Sequence, residues 1–150
     1  MKRLRIYVDT SVIGGCFDEE FAEFSLKFME QVRSGQIILI VSNILMDELE
    51  LAPSNVKEVI REMSPEFMES VEISMETESL RDAYYRAGIV GEHLINDAHH
   101  VAVATVAQAD LIVSWNFKHI VHVDKIRKYN SINLQEGYGS IEIRTPREVI

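Results

Sequence analysis

Residues 94–119 read LINDAHHVAVATVAQADLIVSWNFKH, which parses as a helix, a tight turn, a strand and a polar cluster. Asn96 is the expected N-cap, because its side-chain oxygen can accept a hydrogen bond from a free amide of the first turn. Over residues 97–108 the apolar positions Ala98, Val101, Ala102, Val103, Ala104, Val106 and Ala107 run nearly round the helix, the pattern of a helix buried on most sides. Residues 110–114, DLIVS, are short, apolar and partly β-branched, as an interior parallel strand is. Polar residues are left at the two ends of this dry unit: Asp97, His99 and His100 at one, Ser114, Trp115, Asn116 and His119 at the other. The N-terminus of a helix that precedes a strand lies near that strand's C-terminal edge, so both clusters are expected on one rim. Open α/β sheets place their sites there.

Working outward, residues 4–8 (LRIYV) read as a first strand stopped by Asp9-Thr10-Ser11, types that favour turns and caps. Gly14-Gly15 allows a break. An acidic amphipathic helix is expected over 18–33, a second buried strand over 36–41 and a short helix over 43–51, capped by Ser42-Asn43. Pro53 interrupts, another helix follows over 54–63, a weak strand over 71–73, and a helix over 77–87. Beyond Asn116, residues 120–129 look helical, 131–139 look like loop, and 140–144 alternate as a strand. Thr145-Pro146-Arg147-Glu148 has the form of a capping box with proline at the first helical position. Alternating strands and helices with short connections predict an α/β fold with a mostly parallel sheet covered on both faces.

With 150 residues, a single domain over 1–150 is the expectation. The one cysteine, Cys16, cannot form an internal disulfide, and no apolar run approaches 18 residues. A cytoplasmic protein without membrane contact is expected. The net charge of −9 runs against a generally basic nucleic-acid binder, but suits acids gathered for a divalent cation. Lys118, Lys125, Arg127 and Lys128 face only Asp124 between residues 115 and 130, so local charge departs from the total.

Three acids stand out. Asp9 ends the first strand, where its other reading is a helix cap. Glu48 falls among Ile44, Leu45, Leu49, Leu51 and Ala52 on the helical wheel. A carboxylate there requires a metal, an arginine or an open cleft to compensate it. Asp97 sits in a first helical turn, where the helix dipole alone gives it a structural role worth ~0.3–1 kcal/mol. Asp47 and Glu50 point away, and Asp110 flanks a strand at its entering end; these read as structural. His99 and His100 are adjacent on a helix and cannot face one metal together, and no zinc pattern is present. A strand order of 3-2-1-4-5 would bring Asp9, Glu48 and Asp97 to one rim. Acids without thiolate specify a hard cation, Mg²⁺ or Mn²⁺, of the kind that activates water for phosphodiester cleavage.

Y-V-D-T-S at 7–11, the acid in the helix after the second strand, N-D-A-x-H-V-A at 96–102 and S-W-N-F-K-H at 114–119 together resemble a PIN-domain protein. The resemblance spans nearly the whole chain, including T-P-R-E. It implies a three-layer α/β/α sandwich, metal-dependent endoribonuclease chemistry on single-stranded RNA and, as in VapC-type toxins, an antitoxin protein as partner; a homodimer is the other candidate assembly. By position, Asp9, Glu48 and Asp97 match three of the family's four acids. The fourth is absent: Asn116 takes its place, and His119-Ile120 stands where an aspartate–phenylalanine pair falls in relatives. Asn116 can orient water or substrate, and Ser114 offers a hydroxyl. Trp115, Lys118 and His119 can meet a nucleic-acid strand by stacking and phosphate contact, against readings as core tryptophan and solvated lysine. The missing acid motivates the competing expectation of a catalytically weakened PIN fold that binds nucleic acid or regulates. A phosphate-handling enzyme fits less well, because no P-loop or G-x-G-x-x-G occurs.

Overall fold

The structure, a computed structural model, describes residues 2–150. Five strands carry the fold: β1 (Leu4–Val8), β2 (Ile37–Ser42), β3 (Met68–Val71), β4 (Leu111–Val113) and β5 (Glu142–Arg144). Their order is 3-2-1-4-5, and all four pairings are parallel. The expected sheet is therefore present, with every pairing parallel. Side chains alternate across a strand, and the core divides accordingly. Ile6, Val8, Leu39, Val41, Leu111 and Val113 face one layer, made by α1 (Thr10–Gly15), α2 (Ala22–Arg33) and α4 (Ser54–Arg61). Tyr7, Ile40, Ile112 and Ile143 face the other, made by α5 (Met75–Arg86), α6 (Ile95–Val106) and α7 (Val123–Gln135). The remaining helices are α3 (Asn43–Glu50), which follows β2, and the terminal α8 (Pro146–Val149).

The helix and strand of the central stretch are where its pattern puts them. Residues 98–105 of α6 are all buried, and β4 is buried throughout. Four local expectations give way. Asn96 is not the N-cap: α6 starts at Ile95, Leu94 precedes it without a side-chain cap, and a 3-10 turn at Glu92–Leu94 feeds the chain straight into the helix. The turn expected after β1 contains α1, whose Val12 and Ile13 are fully buried, so packing stabilises six residues that local propensity would leave irregular. β3 lies at Met68–Val71 rather than 71–73. α7 starts at Val123 and continues to Gln135, through residues expected to be loop.

At the chain's end the capping box is real: the Glu148 carboxylate accepts from the Thr145 amide at 3.0 Å and its hydroxyl at 3.1 Å. Asp110 is structural, its Oδ2 accepting from the Arg5 amide at 2.7 Å at the entering edge of the sheet. Asp47 and Glu50 are exposed.

Candidate metal and nucleic-acid site

The register of β1 on β4 sets Val8 beside Val113, so the next residues, Asp9 and Ser114, leave the sheet side by side. Asp9 occupies the N-cap position of α1, yet its side chain caps no amide. Its oxygens instead take two hydroxyls: Ser11 donates to Oδ1 at 2.6 Å, and Ser114 donates to Oδ2 at 2.7 Å. Each serine in turn accepts a backbone amide from the segment after β4, Trp115 N–H to Ser11 at 2.9 Å and Asn116 N–H to Ser114 at 2.9 Å. The amides polarise the hydroxyls toward the carboxylate, a pair of charge-assisted relays.

Asp9 is 4% exposed. Burial pushes its carboxyl above the usual range, His100 and the two serine hydroxyls pull it down, and Asp97 pushes it up again. Among the described residues no lysine or arginine pairs with Asp9. Asp97, half-buried in the first turn of α6, thus raises the negative potential at a carboxylate that has hydroxyl partners but no lysine or arginine among the described residues.

Glu48 has a different environment. Its Oε1 accepts from the Thr10 hydroxyl at 2.8 Å and pairs with His100 Nε2 at 2.6 Å. His100 Nδ1 meets the Tyr7 hydroxyl at 2.6 Å, and that hydroxyl meets Ser42 Oγ at 2.7 Å. Ser42 is the cap of α3, accepting from Leu45 N–H at 3.2 Å. One proton arrangement satisfies the whole chain: Ser42 donates to Tyr7, Tyr7 to Nδ1, and Nε2–H to the Glu48 carboxylate. Burial works against the charged form of Glu48, but the His100 and Thr10 contacts outweigh it and hold its carboxyl below the usual range. A metal, an arginine or a cleft is what the helical wheel requires for this acid; a buried histidine supplies much of that compensation.

The polar residues after β4 divide. Ser114 is fully buried against Asp9. Trp115 is 8% exposed, stacks on Phe21 at 4.3 Å and donates through Nε1 to Ser25 at 2.8 Å; it packs as a core tryptophan, with one ring face taken by Phe21. The exposed aromatic of this segment is Phe117. Asn116 uses Oδ1 to accept from the His119 amide at 3.0 Å, closing the turn on which Lys118 is exposed and His119 half-buried. Tyr7, Thr10, Ser11 and His100 lie in the quoted motifs at 7–11 and 96–102, but their contacts with Asp9 and Glu48 come only with the fold. For His100 the spacing is a further signal, since it stands three residues after Asp97 and so shares its helix face.

Asp9 and Asp97 fit a hard cation by donor type and electrostatics: hydroxyls occupy part of the lone-pair capacity of Asp9, and Mg²⁺ is commonly held by one or two carboxylates while keeping several waters. A closed three-acid cage is not preformed, because no three His, Cys, Asp or Glu side chains among the described residues lie together as a metal-holding group.

The PIN domain family model matches residues 6–125. The chain belongs to the PIN domain family. The match begins within β1 and ends in the first turn of α7, so it contains Asp9, Glu48, Asp97, Ser114 and Asn116. The crystal structure of VapBC2 from Rickettsia felis bound to a DNA fragment from their promoter contains a similar chain. The TM-score is 0.57 at 13% identity, covering 95% of this PIN domain chain and 98% of the other. At that identity the likeness is one of fold. No curated protein matches the chain. Among the described residues no helix is long and apolar enough to cross a membrane.

Proposed function

We propose that residues 1–150 form a single PIN-like domain acting as a Mg²⁺- or Mn²⁺-dependent endoribonuclease of the VapC kind, with an antitoxin protein as its partner. The observation that carries this reading is the Asp9 carboxylate, buried at the C-terminal rim of the sheet with two hydroxyl donors, within reach of the charge of Asp97, and paired with no lysine or arginine among the described residues. Burying a carboxylate that His100 and two hydroxyls compensate only in part is costly, and a divalent cation would offset that cost. When bound, the cation would supply Lewis-acid charge to the scissile phosphodiester. Asp9 and Asp97 would hold it, Ser11 and Ser114 keeping the Asp9 oxygens oriented. Glu48, fixed by His100 and Thr10, would stand as the third acid of the rim and order water or complete the ligand set through it. Asn116, on the turn beyond Ser114, would orient water or substrate, and Lys118 and His119 would meet the strand's phosphates.

A second reading has its own support. Glu48 is bound to His100, and Asn116 stands where the family has a fourth acid, so a PIN fold that binds RNA without cutting it is the alternative. Labelled single-stranded RNAs incubated with Mn²⁺ or Mg²⁺ separate the two. The nuclease reading predicts cutting by the wild type, loss in chelator, and a fall of about two orders of magnitude in Asp9→Asn and Asp97→Asn, the scale seen when a charge-stabilising group is removed. Equal cutting by wild type and variants, or none by any of them, would overturn it.

A further inference from the structure

We infer that the cleft between the C-terminal end of α5 and the start of α7 is a binding track for the phosphate backbone of a single-stranded RNA, leading away from the acidic rim. This rests on the nuclease reading for its substrate and adds a site to it. The cleft has a volume of about 580 Å³ and is lined by Tyr85, Arg86, Ile89, Leu94, His119 and Lys125 among others. Three of these carry or can carry positive charge, although the whole chain has a net charge of −9.

Most of the cations elsewhere in the molecule meet carboxylates, and those on this flank do not. Among the described residues, Arg5, Arg33, Arg61, Arg81 and Arg144 meet carboxylates, while Arg3 and Arg147 lie over phenylalanine rings. Among the same residues Arg86 and Arg127 do neither, and Lys118, Lys125 and Lys128 form no ion pair, as Lys2 and Lys57 elsewhere do not. In a chain with 24 acids and 15 basic residues, cations concentrated on one flank without carboxylate partners leave that flank complementary to an anion.

Its construction also favours a nucleic acid strand. Lys125 Nζ donates to the Ile89 carbonyl, which ties the ammonium to the cleft wall rather than leaving it to swing in solvent. His119 Nδ1 is buried without a hydrogen-bond partner among the described residues. Tyr85, 41% exposed, sets an aromatic face beside the cations, and alternating stacking faces with positive charge is how single strands are held without sequence preference. The track joins the rim at both walls. Leu94 lies three residues before Asp97, and the His119 turn begins at Asn116, directly after Trp115, whose amide donates to the Ser11 hydroxyl that holds Asp9; the Tyr129 hydroxyl pins that turn by donating to the His119 carbonyl at 2.8 Å.

The test is binding of a fluorescein-labelled single-stranded RNA in EDTA, which stops metal-dependent cutting, followed by anisotropy at several KCl concentrations. The double variant Arg86→Gln/Lys125→Gln should bind about tenfold more weakly at a fixed salt concentration, the scale of removing charged hydrogen bonds. Its log–log salt slope should be shallower by about 0.7 for each phosphate that is no longer neutralised. Arg86→Gln alone leaves the Lys125 tie intact and should show about half the change in slope. Arg61→Gln, on an exposed face of α4, should bind as wild type does. Unchanged affinity and slope in the double variant, an equal loss in Arg61→Gln, or no RNA binding by the wild type would overturn the track. If the wild type cuts RNA in Mn²⁺ and the double variant binds and cuts identically, the track fails and the nuclease reading stands. If the double variant loses binding but the wild type never cuts, the track stands and the nuclease reading fails.

Discussion

His99 and His100 show how one step along a helix separates structure from chemistry. His100 faces the sheet and pairs with Glu48, whereas His99 turns toward α5 and meets the Thr77 hydroxyl at 3.1 Å, inside the capping box that starts that helix. Burial chiefly, with help from Arg81 and His100, lowers the His99 pKa to about 4. The unfolded chain then takes up a proton at higher pH than the folded one does. Stability from the neutral ring is complete above the ordinary histidine value of 6.5 and is lost as pH falls from there toward 4. The difference is on the order of 3 kcal/mol at full extent. Thermal melts between pH 7 and pH 4 should therefore show a smaller loss of stability for His99→Gln than for wild type. Parallel curves would contradict the assignment. The adjacency of the two histidines is plain in the sequence, and so is the conclusion that they do not share a metal. Which of them faces Glu48 is not, because that depends on the rotation of α6 against β1 and α3.

The elements legible from hydrophobic pattern alone are those whose burial is intrinsic to the pattern: α6, β1, β2 and β4. The misread ones are held by contacts between distant residues. α7 continues past residue 130 because Asn133, polar in sequence but fully buried, takes the Tyr84 hydroxyl and donates to Thr105 at 3.4 Å. Asn130 similarly brackets Ile141 through its amide and carbonyl. α1 reads as a turn because it contains two glycines, and these have opposite environments. A Cβ on Gly15 would lie 2.6 Å from Ser25 Oγ and 2.9 Å from Trp115 Nε1, whereas one on Gly14 would meet nothing within 4 Å. Gly15→Ala should destabilise the protein by about 1–3 kcal/mol through overpacking, and would strain the Trp115 segment that supports Ser11. Gly14→Ala should stabilise it by about 0.5–1 kcal/mol, since alanine gives up less backbone freedom in a helix. Urea unfolding of the pair measures both, and equal effects would contradict the close approach of α1 to Trp115.

For the molecule as a whole, the charge total and its distribution point to different functions, and both matter. Strand order and acid placement, both readable in the sequence, bring Asp9, Glu48 and Asp97 to one rim, and the sheet has the required order. The finer arrangement, with Glu48 bound to His100 and the two serines beneath Asp9, depends on side-chain contacts that spacing does not encode. The basic flank is visible between residues 115 and 130, but Arg86 joins it only through packing of α5 against α7. A domain with acids at its centre and cations along one side suits a substrate that is a polyanion cut with the help of a divalent cation. Such a domain works only if the rim holds that cation. Calorimetric titration of the protein with Mn²⁺ at neutral pH, in parallel with Asp9→Asn and Asp97→Asn, tests it most directly. A cation held at the rim gives saturable binding by the wild type, weakened strongly by either substitution; no binding at millimolar Mn²⁺, or equal binding by all three proteins, would contradict it.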